Sequence, residues 1–427
     1  MSANTTTAIR SLRGRQIFDS RGRPTVEVEV TLANGACGVA SAPSGASKGL
    51  HEARELRDGD ASRHDGNGVL QAVANVNGEI ADRLRGEDAL AQARVDALMR
   101  ELDGTESLHR LGANAILATS LAICRAAAAA TGMPLYEYIA ALSGNVPALP
   151  LPMVNILSGG AHAGRSMDVQ DFLVAPVGAS GFGEGMDMAL QVRLAAERLA
   201  MRSGLSGLLA DEGGLAPGFS KATQALDFLL EAIQAAGLTP GRDVAIALDV
   251  AASELFDANV YNLRRESTRL DADEMISLVL RWLKEYPIFS VEDPLHQDDW
   301  EHWSRLTAAT SAQVIGDDLF ATNLARVRRG IGSRAANAVL IKPNQNGTLS
   351  GTLEVLAEAR RAGMATIVSA RSGETEDAFI ADLAVGTAAG QIKIGSVRNS
   401  ERMTKYNRLL RINEDARVTF AAPPTLR

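Results

Sequence analysis

The sequence predicts an α/β protein in two parts: an N-terminal α+β domain, made of an antiparallel sheet plus helices, and then a β/α barrel. Three observations carry this. Residues 8 to 42 alternate apolar and polar side chains about an Asn-Gly pair. A segment rich in Pro, Gly and Ser, "SGNVPALPLP", interrupts the chain at 143–152. Beyond it, helical stretches alternate with short apolar runs that carry few charges, as strands buried on both faces do.

In chain order, "TVEVEVTLANGACGVASA" reads as a hairpin, with β-branched residues on both sides of its turn. From about Leu70 to Ile139 the pattern is helical. Its richest part, "GANAILATSLAICRAAAAATG", is an alanine-rich helix suited to close packing and closed by Gly132 and Pro134. A capping domain over 1–142 and a catalytic barrel over 143–427 are therefore expected. The barrel strands are read in "VAIALD", "PIFSVED", "AQVIGDD", "ANAVLIK", "ATIVSAR" and "GQIKIG". These runs end at Asp249, Glu292, Asp317, Lys342, Arg371 and Lys393. In a parallel barrel the C-terminal strand ends converge on one face, where barrel enzymes carry their chemistry.

Composition bounds the function. The chain has 427 residues, 46% hydrophobic and 22% charged, with a formal net charge of -8; this is ordinary for a globular protein with a full core. An acidic surface attracts neither nucleic acid nor anionic membranes, so neither is expected as a partner. Cys37 and Cys124 form no metal or disulfide pattern. With no signal-like N-terminus and no apolar run near the roughly 20 residues of a membrane span, a cytoplasmic protein is expected. Among 43 Lys+Arg only Lys48, Lys221, Lys284, Lys342, Lys393 and Lys405 are lysines. A lysine in such a chain draws notice because, unlike arginine, its surroundings can tune it into a base near neutral pH.

Asp249, Glu292 and Asp317 would be three carboxylates from neighbouring strands aimed at one point, costly to hold ionised without a cation. A hard divalent ion, Mg²⁺, resolves that cost. Lys342 and Lys393 stand opposite, and their mutual repulsion beside a metal is expected to lower their proton affinity. A metal that stabilises an enolate facing a lysine base is a pattern of the enolase superfamily.

Here the sequence resembles enolase over nearly its whole length. The resemblance rests on "DSRGRPTVEVEV" (19–30), "APSGASKG" (42–49), "GANAILATSLA" (112–122), "DEGGLAP" (211–217), "ALDVAASE" (247–254), "VEDP" (291–294), "GDDLFATN" (316–323), "KPNQNGTL" (342–349), "RSGETEDAFIADLAVG" (371–386) and "GQIKIG" (390–395). It implies an enolase-type β/α barrel and two Mg²⁺ ions per active site. Asp249, Glu292 and Asp317 would hold one ion and Ser47 would ligate the second. It further implies Lys342 as the base at carbon 2, Glu212 as the acid at the carbon 3 hydroxyl and Lys393 on the substrate carboxylate. Arg371 and Ser372 would hold the phosphate and His162 a closing lid. Arg21 and Glu414 resemble a pair that bridges a homodimer, with a higher assembly of dimers open.

The chain departs from the family at several points. Where enolases read "SHRSGETED" it has Ala370; where they read "QEF" it has Gln170, Asp171 and Phe172, the acid one methylene shorter; where they read "SGASTG" it has Lys48. Asn346 replaces the isoleucine of "NQIG" and Ile394 the threonine of "QIKTG". Ala370 and Asp171 are expected to open space and Lys48 to add a cation, which suits a bulkier, more anionic substrate. The ligand expected is a small phosphorylated or phosphonylated three-carbon acid. A specialised enolpyruvate-forming enzyme, similar to the carboxyphosphonoenolpyruvate synthases of phosphinate antibiotic pathways, is the leading reading. Its alternatives are a glycolytic enolase and a noncatalytic enolase-like interaction protein.

Overall fold

In a computed structural model, residues 6–46 and 49–421 are described. The expected metal ligand Ser47 and the loop cation Lys48 therefore lie outside the described residues. Strands β1 (Ile9–Phe18), β2 (Pro24–Leu32) and β3 (Cys37–Ser41) form the antiparallel sheet in that order. The β2–β3 turn is at the Asn-Gly pair, where Gly35 takes φ +88°, a conformation that side chains resist.

Helices α1 (Gln92–Asp103), α2 (Ala113–Thr131) and α3 (Leu135–Ser143) complete this layer. The left-handed Gly132 ends α2. By length and composition α2 is apolar enough to cross a membrane, contrary to the reading that no run approaches that length, yet 83% of its apolar window is buried inside the protein. Its alanines and Gly38 of β3 let the helix lie almost on the sheet: a Cβ at Gly38 would land on the backbone of Ala122 and Ala126.

The second layer is a closed eight-stranded barrel. Its strands are β4 (Leu151–Ser158), β5 (Asp171–Ala175), β6 (Ala245–Asp249), β7 (Ile288–Glu292), β8 (Gln313–Gly316), β9 (Ala338–Ile341), β10 (Ala365–Ser369) and β11 (Gly390–Gly395). Leu173, Phe289, Ile315, Leu340 and Ile367 belong to a separate apolar cluster. They alternate along their strands with members of the main core, and this cluster fills the barrel below the mouth.

The sheet is not wholly parallel, as the alternation of strands and helices implied. β5 runs antiparallel to both β4 and β6. Its first residue, Asp171, therefore pairs with Asp249 at the last position of β6 and with Ser158 at the last of β4. An antiparallel strand delivers its N-terminal residue to the face where its parallel neighbours deliver their C-terminal ones.

The two layers are joined through buried polar contacts. Asp96 of α1 accepts the Ser350 N–H at 2.9 Å and Ser120 of α2 accepts that of Leu349 at 3.0 Å, so the N-terminal domain caps the helix Leu349–Arg361 of the barrel.

Gly38→Ala is expected to lower stability by about 1–3 kcal/mol, because the added methyl meets backbone and not a movable side chain. Gly207, with open space around its Cα, is the control. Urea unfolding of Gly38→Ala and Gly207→Ala checks this, and equal midpoints would contradict it.

Candidate active site

Asp249 and Glu292 end adjacent strands in register, and Asp317 follows the last residue of β8. Lys393, the fourth residue of β11, donates to Asp249 Oδ2 at 2.6 Å and Glu292 Oε2 at 2.7 Å. Lys342, just past β9, pairs with Asp317 Oδ2. Gln345 donates to the other oxygen of Asp317 at 2.9 Å, and is itself held by Thr322 Oγ1 at 2.7 Å.

These pairings reverse the expected direction for the lysines. Burial disfavours both charges, but Asp317 outweighs it at Lys342 and Asp249 with Glu292 outweighs it at Lys393, so both pKa values are raised. Expected repulsion between the lysines gives way because each is in direct contact with an acid. Glu292 is pushed well above the usual carboxylate range by burial and then by the charge of Asp249. For Asp317 burial acts the same way, but Lys342 overcomes it and the pKa is lowered.

A divalent cation fits this donor set. The three groups are hard oxygen ligands, and Glu292 Oε1 is buried without a hydrogen-bond partner, an acceptor with unused capacity. Another grouping lies beside it: carboxylate oxygens of Asp293, Asp317 and Asp318 fall within 4.8 Å of one another, a cluster that could bind a metal. Asp293 is largely engaged, accepting the N–H groups of Asp317 at 2.9 Å and Asp318 at 2.8 Å. Burial and the charge of Asp317 push Asp318 up to about 7.

Arg371 and Ser372 follow β10 by two and three residues. Arg371 donates to Glu52 Oε2 at 2.8 Å and to Asn344 Oδ1 at 3.0 Å. Ser372 Oγ accepts the Ala46 N–H at 2.7 Å. Arg402 is fully buried and fixes this turn by donating to the carbonyls of Arg371 and Ser372, each at 2.7 Å. Arg21 faces inward, with Nη1 donating to Ser372 Oγ at 3.3 Å and Nη2 to Ser44 O at 3.1 Å. Within the chain its side chain serves the site's own loop, and Glu414 is exposed.

On the opposite wall one oxygen of Asp171 is fully engaged. Its Oδ1 accepts from Asn155 at 2.5 Å and Ser158 at 3.0 Å, and lies 3.0 Å from His162 Nε2. Burial opposes a charge on His162, but the Asp171 carboxylate overrides it and raises the imidazole pKa to about 9. Asp171 itself is raised, since its burial outweighs the histidine. Glu212, also against burial, is lowered by Arg402 and then His162. Gln170 donates to Asp249 Oδ2 at 2.9 Å.

One cavity gathers most of the expected residues: Lys342, Lys393, Glu212, Asp249, Arg371 and Ser372 line it together with His162, Gln170, Asp171 and Ala370. Glu292 and Asp317 stand behind that lining, joined to it through the two lysines. The open space expected from Ala370 and Asp171 is not present in this conformation. The cavity is narrow, about 30 Å³, and its cations lean onto the neighbouring acids.

Glu52, Asn155, Ser158, Gln345 and Arg402 were not singled out by sequence. Gln345 shares the "KPNQNGTL" motif with Lys342, whereas nothing in the spacing of Glu52 foretold its pairing with Arg371. Two departures find structural roles. Asn346 accepts from Arg100 at 2.8 Å and donates to Thr322 O at 3.2 Å, and Ile394 is buried in the core.

Comparison with known families matches two models: "Enolase, N-terminal domain" over residues 9–139 and "Enolase, C-terminal TIM barrel domain" over residues 146–421.

The His162–Asp171 pair gives a pH prediction. A histidine raised above its ordinary 6.5 to about 9 contributes stability that is complete below 6.5 and lost as pH rises through about 9. Imidazole titration by NMR should place His162 near 9, and Asp171→Asn should return it towards 6.5. Titration of His162 near 6.5 in the unaltered protein would contradict the pairing.

Proposed function

The chain belongs to the enolase family, and on that footing we propose that it is a Mg²⁺-dependent lyase forming an enolpyruvate ester from a 2-phosphoglycerate-like acid. One observation carries the reading: Lys342, Glu212, Lys393, Arg371 and Ser372 surround a single cavity at the barrel mouth. The division of labour follows the proposed domains, with 1–142 capping a catalytic barrel of 143–427.

Asp249, Glu292 and Asp317 would hold the ion. When bound, it supplies positive charge that stabilises the dianion formed as the carbon 2 proton leaves. Lys342 takes that proton at Nζ. Its pairing with Asp317 must loosen first, which binding of a cation by that carboxylate favours. Lys393 then turns from Asp249 and Glu292 towards the substrate carboxylate. Arg371 and Ser372 orient the phosphate, and Glu212 holds the proton delivered to the carbon 3 hydroxyl. An anionic ligand beside Glu212 acts against the cations that depress it. His162, in the Gly-rich stretch 159–164, excludes water from above.

Within the family the reading favoured is a specialised enzyme of the carboxyphosphonoenolpyruvate synthase type, acting on a glycerate whose phosphoryl group carries an extra carboxylate. Two features support it. Ala370 presents no hydrogen-bonding side chain to the cavity, and Asp171, one methylene shorter than the family's glutamate, has one oxygen occupied by Asn155, Ser158 and His162. A glycolytic phosphopyruvate hydratase is the second reading, favoured by the expected base, acid and anion-binding residues about the cavity. A cytoplasmic homodimer accompanies either.

Phosphorus NMR with 2-phosphoglycerate and Mg²⁺ tests the choice. Turnover at no more than about one hundredth of an ordinary enolase's rate is expected, the scale on which a misplaced catalytic group acts. Ala370→His with Asp171→Glu should raise it about tenfold or more. A rate equal to an ordinary enolase would make the protein a hydratase. Absence of both metal binding and turnover would make it noncatalytic.

A further inference from the structure

A second cavity, of about 250 Å³, adjoins the catalytic one, and Ala161 and Gln170 line both. Its polar lining is basic, with the guanidinium groups of Arg165, Arg264 and Arg265 set against the carboxylates of Asp168 and Glu254. Those acids are already committed. Glu254 pairs with Arg165 at 2.9 Å, and Asp168 accepts the backbone N–H groups of Arg265 at 2.9 Å and Glu266 at 3.1 Å. Arg265 donates to Gly218 O at 3.1 Å. The Arg264 side chain has no hydrogen bond or ion pair among the described residues, and it is exposed at the rim. Met167, Val250 and Leu255 give the cavity an apolar wall.

The contrast with the catalytic cavity is chemical. There every lysine and arginine leans on an acid and the volume is about 30 Å³; here a larger space holds an uncommitted guanidinium, the group best suited to the forked oxygens of phosphate and carboxylate. The shared wall is thin, made where the single turn Ala161–Ala163 meets Gln170, just before β5.

We propose that this pocket is a second anion subsite of the catalytic centre, taking a phosphate, phosphonate or carboxylate borne by a ligand that extends past Ala161 and Gln170. The proposal rests on the reading that the first cavity binds the three-carbon acid. It accounts for a site that accepts a more anionic substrate without being enlarged at Ala370: the extra charge is housed next door, where Arg264 and Arg165 meet it.

Inorganic phosphate is the probe. It would be titrated by phosphorus NMR into the full chain with Mg²⁺, first alone and then saturated with phosphoenolpyruvate, whose signal is separate. Phosphate is expected to bind the saturated protein, and the Arg264→Ala, Arg165→Ala double variant should weaken that binding about tenfold or more with phosphoenolpyruvate affinity unchanged. Both side chains are exposed, so unchanged thermal unfolding would verify the variant's fold. Displacement of phosphate by phosphoenolpyruvate, or equal phosphate binding by the variant, would overturn the proposal. Failure of phosphoenolpyruvate itself to bind is read separately and counts against the assignment of the first cavity.

Discussion

Carboxylates crowd the mouth of the barrel. Asp249, Glu292 and Asp317 leave three adjacent strands, Asp293 and Asp318 stand beside them, and Asp171 arrives from the other side. Burial makes each charge costly, and unlike charges must be found within reach. Lys393 answers for Asp249 and Glu292, Lys342 for Asp317, His162 for Asp171 and Arg371 for Glu52. The cavity is small because of this mutual neutralisation. Ligand binding must exchange these pairs for others, and a divalent cation held by Asp249, Glu292 and Asp317 would free both lysines at once.

The direction of one strand decides what the site contains. Were β5 parallel to its neighbours, Asp171 would lie at the foot of the barrel and Ala175 at the mouth. Running antiparallel, it sets Asp171 beside Asp249 and Ser158. The shorter side chain then meets Asn155, Ser158 and His162 on one oxygen. An aspartate so bound keeps an imidazolium in place while it still lines the cavity.

Much of this was legible in sequence because period and position carry it. Short apolar runs ending in charge identified six barrel strands and the face to which they lead, and the Asn-Gly pair identified the hairpin. Strand direction was not legible, since "DFLVA" reads alike in either sense and only its pairing partners distinguish them. The shifts at Lys342 and Lys393 were misjudged because repulsion between two lysines is a longer-range effect than a direct contact with Asp317, Asp249 or Glu292, and those contacts depend on side-chain reach. The contacts of Arg21 with Ser44 and Ser372 were not legible either, since they arise where its turn folds back over the site's loop. α2 was correctly read as a packing helix, and its small residues, rather than its apolar length, determine where it lies.

The account stands or falls on proton abstraction by Lys342. The most direct measurement is proton NMR of 2-phosphoglycerate in deuterated water with Mg²⁺, following loss of the carbon 2 hydrogen whether or not elimination completes. The account predicts exchange by the unaltered protein, slowed about 100- to 10,000-fold in Lys342→Met, the range a general base supplies. Exchange undiminished in Lys342→Met would contradict it.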